Sequence, residues 1–213
     1  MKYQSPTLDE EQKIWHLGHD LAVGVDEVGR GPLAGPVVAA ACVFRRLSES
    51  ETGWLLELGI NDSKKKTEKQ REKIFDEIKK SGILKYGIGV VDEKTIDKIN
   101  ILQASLLAMK NAVENLNLKN AERSFLLIDG RDIIPEMNLS QKAIIGGDAK
   151  VLSIAAASII AKVTRDKMML ELDEKYPEYG FKKHKGYGTK FHFEMIKKHG
   201  PCEIHRRSFL HSF

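Results

Sequence analysis

Asp26 and Glu27 are adjacent acids that interrupt the apolar run of residues 21–28 and lead directly into the glycine-rich turn Gly29-Arg30-Gly31-Pro32. Burying a carboxylate without a partner is costly, and two neighbouring carboxylates also repel, so the inexpensive resolution is a divalent cation held by oxygen ligands. Two further acids sit where strand ends can converge: Asp129 closes the apolar run 125–128, and Asp148 precedes a long helical segment. In open α/β sheets ligands collect beyond the carboxyl ends of strands, so such acids can share one crevice although they are far apart in sequence. Each also has a plainer reading, since Asp-Gly is a common turn and an Asp can simply cap its helix. Adjacent strand residues point to opposite faces, so Asp26 and Glu27 serve one site only if the strand twists or ends there.

The stretch Gly24-Val25-Asp26-Glu27-Val28-Gly29-Arg30-Gly31-Pro32-Leu33-Ala34-Gly35-Pro36-Val37 resembles the DE-x-GRG-x-x-AGPV run of type 2 ribonucleases H, specifically ribonuclease HII. In that family's order follow Asn61-Asp62-Ser63-Lys64, Leu127-Ile128-Asp129-Gly130, Gly147-Asp148-Ala149-Lys150, the small-residue run 155–166 and His184-Lys185-Gly186-Tyr187-Gly188-Thr189-Lys190, so that the resemblance spans Leu21 to Phe209. It implies an α/β, ribonuclease H-like fold: a mixed five-stranded sheet flanked by helices, with a C-terminal helical extension. It assigns metal ligation and catalysis to Asp26, Glu27, Asp129 and Asp148. To Gly29, Arg30 and Gly31 it gives contact with the ribose 2′-hydroxyl, which separates RNA from DNA. Tyr187 is implied to recognise the ribonucleotide by stacking, and Asn61, Ser63 and Lys64 to form a phosphate-contacting loop.

Acids at these positions, with no Cys or Ser nucleophile constellation, fit metal-assisted displacement at phosphorus, with two Mg²⁺ or Mn²⁺ ions as the expected cofactors. Zinc fits poorly, because Cys202 and His205 have no companion ligand pair. The Gly29-Arg30-Gly31 turn is a poor dinucleotide loop: Gly35 comes one place late, and the segment leads into a strand. The expected substrates are RNA–DNA hybrids and duplex DNA with embedded ribonucleotides, cut to 3′-hydroxyl and 5′-phosphate ends. A ribonuclease HIII-like enzyme is the nearest rival, but it resembles this chain less, having a Gly-Thr-Gly turn and an N-terminal substrate-binding domain. A non-catalytic hybrid-binding module would not need acids at all four positions. The C-terminal Ser208-Phe209-Leu210-His211-Ser212-Phe213 lacks the glutamine of a sliding-clamp motif, which leaves clamp binding unsupported.

The elements that must position these groups are legible in outline. Residues 1–20 read as a polar lead-in with a helix over 8–17, residues 21–175 as the catalytic domain, and 176–213 as a basic helical extension packed on it. Strands are expected over 21–28, 36–44, 86–91, 125–128 and 142–145, and helices over 67–80, 102–117 and from 148 to about 174. Asp166, on that last helix, lies roughly 27 Å from Asp148 at helical rise and reads as a structural ion-pair residue. With 213 residues, 42% of them hydrophobic, the chain can bury a real core. It has neither a membrane-length apolar run nor a signal-peptide core, so a cytoplasmic monomer with reduced Cys42 and Cys202 is expected. Residues 181–213 carry a net charge of +6 against −2 for the rest, and the aromatics Phe181, Tyr187, Phe191 and Phe193 interleave with the charges. That mixture suits a nucleic-acid surface.

Overall fold

The computed structural model describes residues 5–60, 66–118 and 121–210. Three antiparallel strands come first in the sheet, β1 (Leu21–Val28), β2 (Val37–Arg45) and β3 (Lys85–Val91), and two parallel ones follow, β4 (Ser124–Asp129) and β5 (Ser140–Ile144). Their spatial order, β3-β2-β1-β4-β5, makes β1 the central strand. β2 is the continuous apolar run Val-Val-Ala-Ala-Ala-Cys-Val-Phe, as a strand buried on both faces must be.

Strand alternation sends Ala22, Ala40, Cys42 and Phe44 to one face, where they pack with helix α5 (Leu152–Lys175), α1 (Asp9–His16) and α3 (Glu68–Ser81). Val23, Val25, Ala39 and Ala41 go to the other, against α4 (Glu93–Glu114). The helix expected over 102–117 is the second half of α4, which is broken at Asn100 (φ 66°). There the Asn100 side chain caps the new turn by accepting from the N–H groups of Leu102 and Gln103. Helix α2 (Glu49–Glu57), opened by a Ser48–Glu51 capping box, has no counterpart in the sequence reading. Both cysteines are free thiols. Among the described residues no helix is long and apolar enough to cross a membrane.

Close packing of α5 on β1 depends on Gly24. A Cβ there would stand 2.1 Å from the Ser153 carbonyl carbon and 2.4 Å from the Ile154 nitrogen. Gly24→Ala must therefore push α5 off the sheet. The expected loss is at or above the upper end of the roughly 1–3 kcal/mol typical of overpacking, read as a lower denaturant midpoint.

The N-terminal segment is bound into the same layer. Thr7 pairs with Val151 in a parallel bridge, and Ile14 and Trp15 join the core beneath α5. At the other end Tyr179, Phe181, Ile196 and Ile204 form a small core with Ala34 and Met169, which attaches α6 (Phe181–His184) and α7 (Lys190–His199) to the loop between β1 and β2.

Candidate active site

Parallel pairing of β1 with β4 ends at Val25↔Ile128, while β1 stays paired with β2 through Glu27↔Ala39 and Val28↔Val38. One residue further, Asp26 and Asp129 stand at the same level of neighbouring strands, where the two begin to part. That departure resolves the alternation problem: Asp26, Glu27 and Asp129 line one cleft of about 290 Å³, with Gly29, Arg30, Gly31, Ser158, Lys162 and Tyr187. Asp148 is not part of this lining. It is buried in a short 3-10 turn, Gly147–Ala149, docked by the Gly147 N–H donating to Asp129 Oδ1 at 2.7 Å.

Burial pushes the Asp26 carboxyl well above the ordinary carboxylate range, and the charges of Glu27, Asp129 and Asp148 push it the same way, against a hydrogen bond from Ser158. Glu27 is also raised, chiefly by burial, with Arg30 opposing through a 3.2 Å ion pair. These acids therefore repel in a poorly solvated crevice, the donor chemistry that suits a hard divalent cation. Among the described residues no three of them form a ready-made ligand cluster. Local bonds already engage one oxygen of several: Asp26 Oδ1 accepts from the Glu27 N–H at 2.7 Å, Asp129 Oδ1 from Gly147, and Glu27 Oε1 from Arg30.

Two buried arginines, neither assigned a positioning role by the sequence, shape the turn beside the acids. Arg206 donates to the carbonyls of Gly29 (2.6 Å), Arg30 (3.0 Å) and Gly35 (2.8 and 2.9 Å). Arg165 donates to those of Ala34 (3.2 Å), Pro36 (2.9 Å) and Lys185 (3.0 Å). In a trans peptide C=O and N–H point in opposite directions, so turning the Gly29 and Arg30 carbonyls inward aims the N–H groups of Arg30 and Gly31 away from Arg206. Burial draws the Arg206 guanidinium down to about 9, still cationic at neutral pH. Gly29, with φ +96° and the Arg165 side chain 2.3 Å from where a Cβ would sit, is the residue that makes this packing possible. Gly31 is exposed, and the nearest atom to its missing Cβ is Tyr187 Cε1 at 3.8 Å, so the turn and the tyrosine face each other.

Asp166 is the ion-pair residue expected, held by Lys162 at 2.8 Å and Arg71 at 3.5 Å. Asn61, Ser63 and Lys64 lie outside the described residues, as do the last three of the C-terminal tail. The basic end divides. Lys182, Lys183, Lys190, Lys197, Lys198 and Arg207 are exposed, but Arg206 is fully buried and Lys185 folds back onto Glu68 and the Lys182 carbonyl. Of its described aromatics only Tyr187 and Phe191 are substantially exposed, while Phe181 is core.

The family profile described as ribonuclease HII matches residues 23–212. Ribonuclease HII of Caldicellulosiruptor bescii is 54% identical over 200 residues, covering 94% of this chain and 91% of that protein. The solved ribonuclease H2 of Pyrococcus horikoshii OT3 is similar with a TM-score of 0.69 at 32% identity, covering 88% of this chain and 93% of that one. The RNase HII of Archaeoglobus fulgidus, solved as a complex with PCNA, has a TM-score of 0.65 at 27% identity, over 88% and 94% of the two chains.

Proposed function

The chain belongs to the ribonuclease HII family, and from that premise we propose that it incises duplex DNA at embedded ribonucleotides as well as hydrolysing the RNA strand of RNA–DNA hybrids. It is an endoribonuclease of a divalent-metal-dependent family. The observation that carries the finer reading is the meeting of Asp26, Glu27 and Asp129 with the Gly29–Gly31 turn and the Tyr187 ring in a single cleft.

Asp26, Glu27 and Asp129 would hold the metal, with Asp148, in the turn that bonds Asp129, completing the acidic group. A pair of Mg²⁺ or Mn²⁺ ions, when bound, supplies an activated water and neutralises charge developing on the phosphate. The protein's own part is positioning. Outward-turned amides of Arg30 and Gly31 meet the 2′-hydroxyl, the group that a ribose offers and a deoxyribose lacks. Tyr187, 43% exposed, stacks on the same nucleotide from the opposite side. The Ser158 hydroxyl steadies the Asp26 carboxylate.

The test uses three duplexes: all-DNA, DNA with one ribonucleotide, and a continuous hybrid, each with Mg²⁺ or with chelator. Metal-dependent incision of the second and third but not the first is expected. Failure on the single-ribonucleotide duplex would confine the activity to hybrids. Binding of hybrids without cleavage in Mg²⁺ or Mn²⁺ would instead favour a recognition module.

Affinity should come from the exposed basic end. Changing Lys182, Lys183 and Lys190 together to Gln is expected to weaken hybrid binding and flatten the slope of log K against log salt by about 0.9 for each phosphate that is no longer neutralised. Titration of an inactive Asp26→Asn background at several salt concentrations measures it, and an unchanged slope would show that these lysines only solubilise the surface.

A further inference from the structure

Three histidines of the C-terminal segment, His192 and His205 buried and His184 half-buried, form an aromatic box with the small core that carries Tyr179 and Phe181. Phe181 meets His184 and His192 edge-on, Tyr179 meets His205 edge-on, and His184 stacks on His192 with ring centroids 4.4 Å apart. His192 and His205 are almost wholly buried, and burial draws both down to about 4, so they are neutral at physiological pH. A neutral imidazole carries one donor and one acceptor, and the partner of one nitrogen decides the state of the other.

The chain of bonds has only one consistent direction. Cys202 meets His205 Nδ1 twice, with its Sγ at 3.1 Å and its backbone N–H at 3.0 Å; a backbone N–H can only donate, so Nδ1 accepts and the proton of His205 is on Nε2. That Nε2–H faces His192 Nε2 at 3.0 Å, which must accept. His192 is therefore left with its proton on Nδ1, and donates it to the Tyr187 carbonyl at 2.9 Å. Free imidazole side chains in water favour the Nε2–H form, so His205 imposes the minority tautomer on His192. His184 is set independently: Gly186 N–H donates to its Nδ1 at 3.2 Å, and its Nε2–H donates to the Tyr179 carbonyl at 2.8 Å. The Tyr187 carbonyl also accepts from the Thr189 N–H at 2.9 Å, so that the His192 bond fixes the side from which it is held, and the neighbouring carbonyls are tied as well, Lys185 by Arg165 and Gly186 by the Leu33 N–H.

We propose that His205 and His192 are positioning residues, a directional hydrogen-bond relay running from the Cys202 amide to the Tyr187 carbonyl that holds the backbone from which the Tyr187 ring projects into the cleft. Its value for turnover rests on the proposed stacking role of Tyr187, and its existence does not.

Long-range ¹H–¹⁵N correlation spectra of the full protein at pH 7 read the relay without any assay. The expected pattern is His184 and His205 as Nε2–H and His192 as Nδ1–H, all neutral. A His192 found as Nε2–H, or found charged, would overturn the relay whatever the activity. Its role is tested by two side chains that each replace half of an imidazole. In His192→Asn the amide nitrogen occupies the place of Nδ1 and keeps the donor to Tyr187. In His192→Gln the amide reaches the place of Nε2 and keeps the acceptor for His205 but not the donor. With melting temperatures measured alongside, His192→Gln should lose about five- to tenfold in kcat/KM on a single-ribonucleotide duplex, the scale of one buried hydrogen bond, and His192→Asn much less. Equal losses, or losses that follow melting temperature alone, would reduce the histidines to core packing. If Tyr187→Ala proved silent on both substrates, the stacking role of Tyr187 would fail while the spectrum still judged the relay.

Discussion

Asp26→Asn is expected to abolish most metal-dependent cleavage, by more than the roughly 10–100-fold that loss of an outer-shell partner costs a metal site, while the fold becomes more stable. The amide keeps an oxygen for the Glu27 N–H and removes a charge that burial and three neighbouring acids disfavour. The sign with pH follows. Because the Asp26 carboxyl is raised in the folded state, its contribution to stability is full below the ordinary carboxylate range and lost as the pH rises through the raised value. In chelator, the melting temperature of Asp26→Asn should therefore exceed that of the wild type by a margin that widens from acid to neutral pH. Mg²⁺ should narrow that margin by stabilising only the wild type. Asp129→Asn should lose activity likewise, its amide oxygen still able to accept from Gly147. Near wild-type turnover at saturating metal in either variant, or a margin that shrinks as the pH rises, would remove these acids from the metal site.

The order of strands and long helices was legible because it is written in local patterns: the apolar run of β2, the Ile74 and Ile78 face of the charged α3, the Asp129-Gly130 break after β4. The acids were legible as motifs, but their arrangement was not. Whether Asp26 and Glu27 could share a crevice depended on where β4 leaves β1, a property of two strands about a hundred residues apart. Asp148 shows the same limit, since it stands near Asp26 without lining the cleft. Arg206 is the clearest case. In sequence it belongs to a basic run and counts toward the surface charge, yet its guanidinium is spent on carbonyls more than 170 positions away. No local periodicity marks a charged side chain whose partners are backbone groups of a distant turn. The buried histidines His192 and His205 were hidden for the same reason, because they stand among basic and aromatic residues whose mixture suits a nucleic-acid surface.

Gly31→Ala and Tyr187→Ala should separate recognition from chemistry. A methyl on Gly31 meets nothing in the protein closer than Tyr187 Cε1 at 3.8 Å, so stability should stay within the roughly 0.5 kcal/mol usual for surface changes. If the turn meets the 2′-hydroxyl as proposed, the same methyl stands in its way, and incision should fall on every ribonucleotide substrate. Gly29→Ala is the contrasting control: with φ +96° and Arg165 in the way, it should lose stability and activity together. Tyr187→Ala leaves acids and turn intact and removes the proposed stacking platform, worth about 1–3 kcal/mol, or roughly 5- to 150-fold. A continuous hybrid offers many registers in which to lodge a ribonucleotide, whereas a duplex with one ribonucleotide offers a single one. The loss in Tyr187→Ala should therefore be larger on the latter. If turn and ring grip one nucleotide from two sides, the double variant should also lose less than the two single losses combined, because a nucleotide already excluded from the turn has no stacking to forfeit. Equal losses of Tyr187→Ala on both substrates, together with additive effects in the double variant, would mean that turn and tyrosine act on different parts of the duplex.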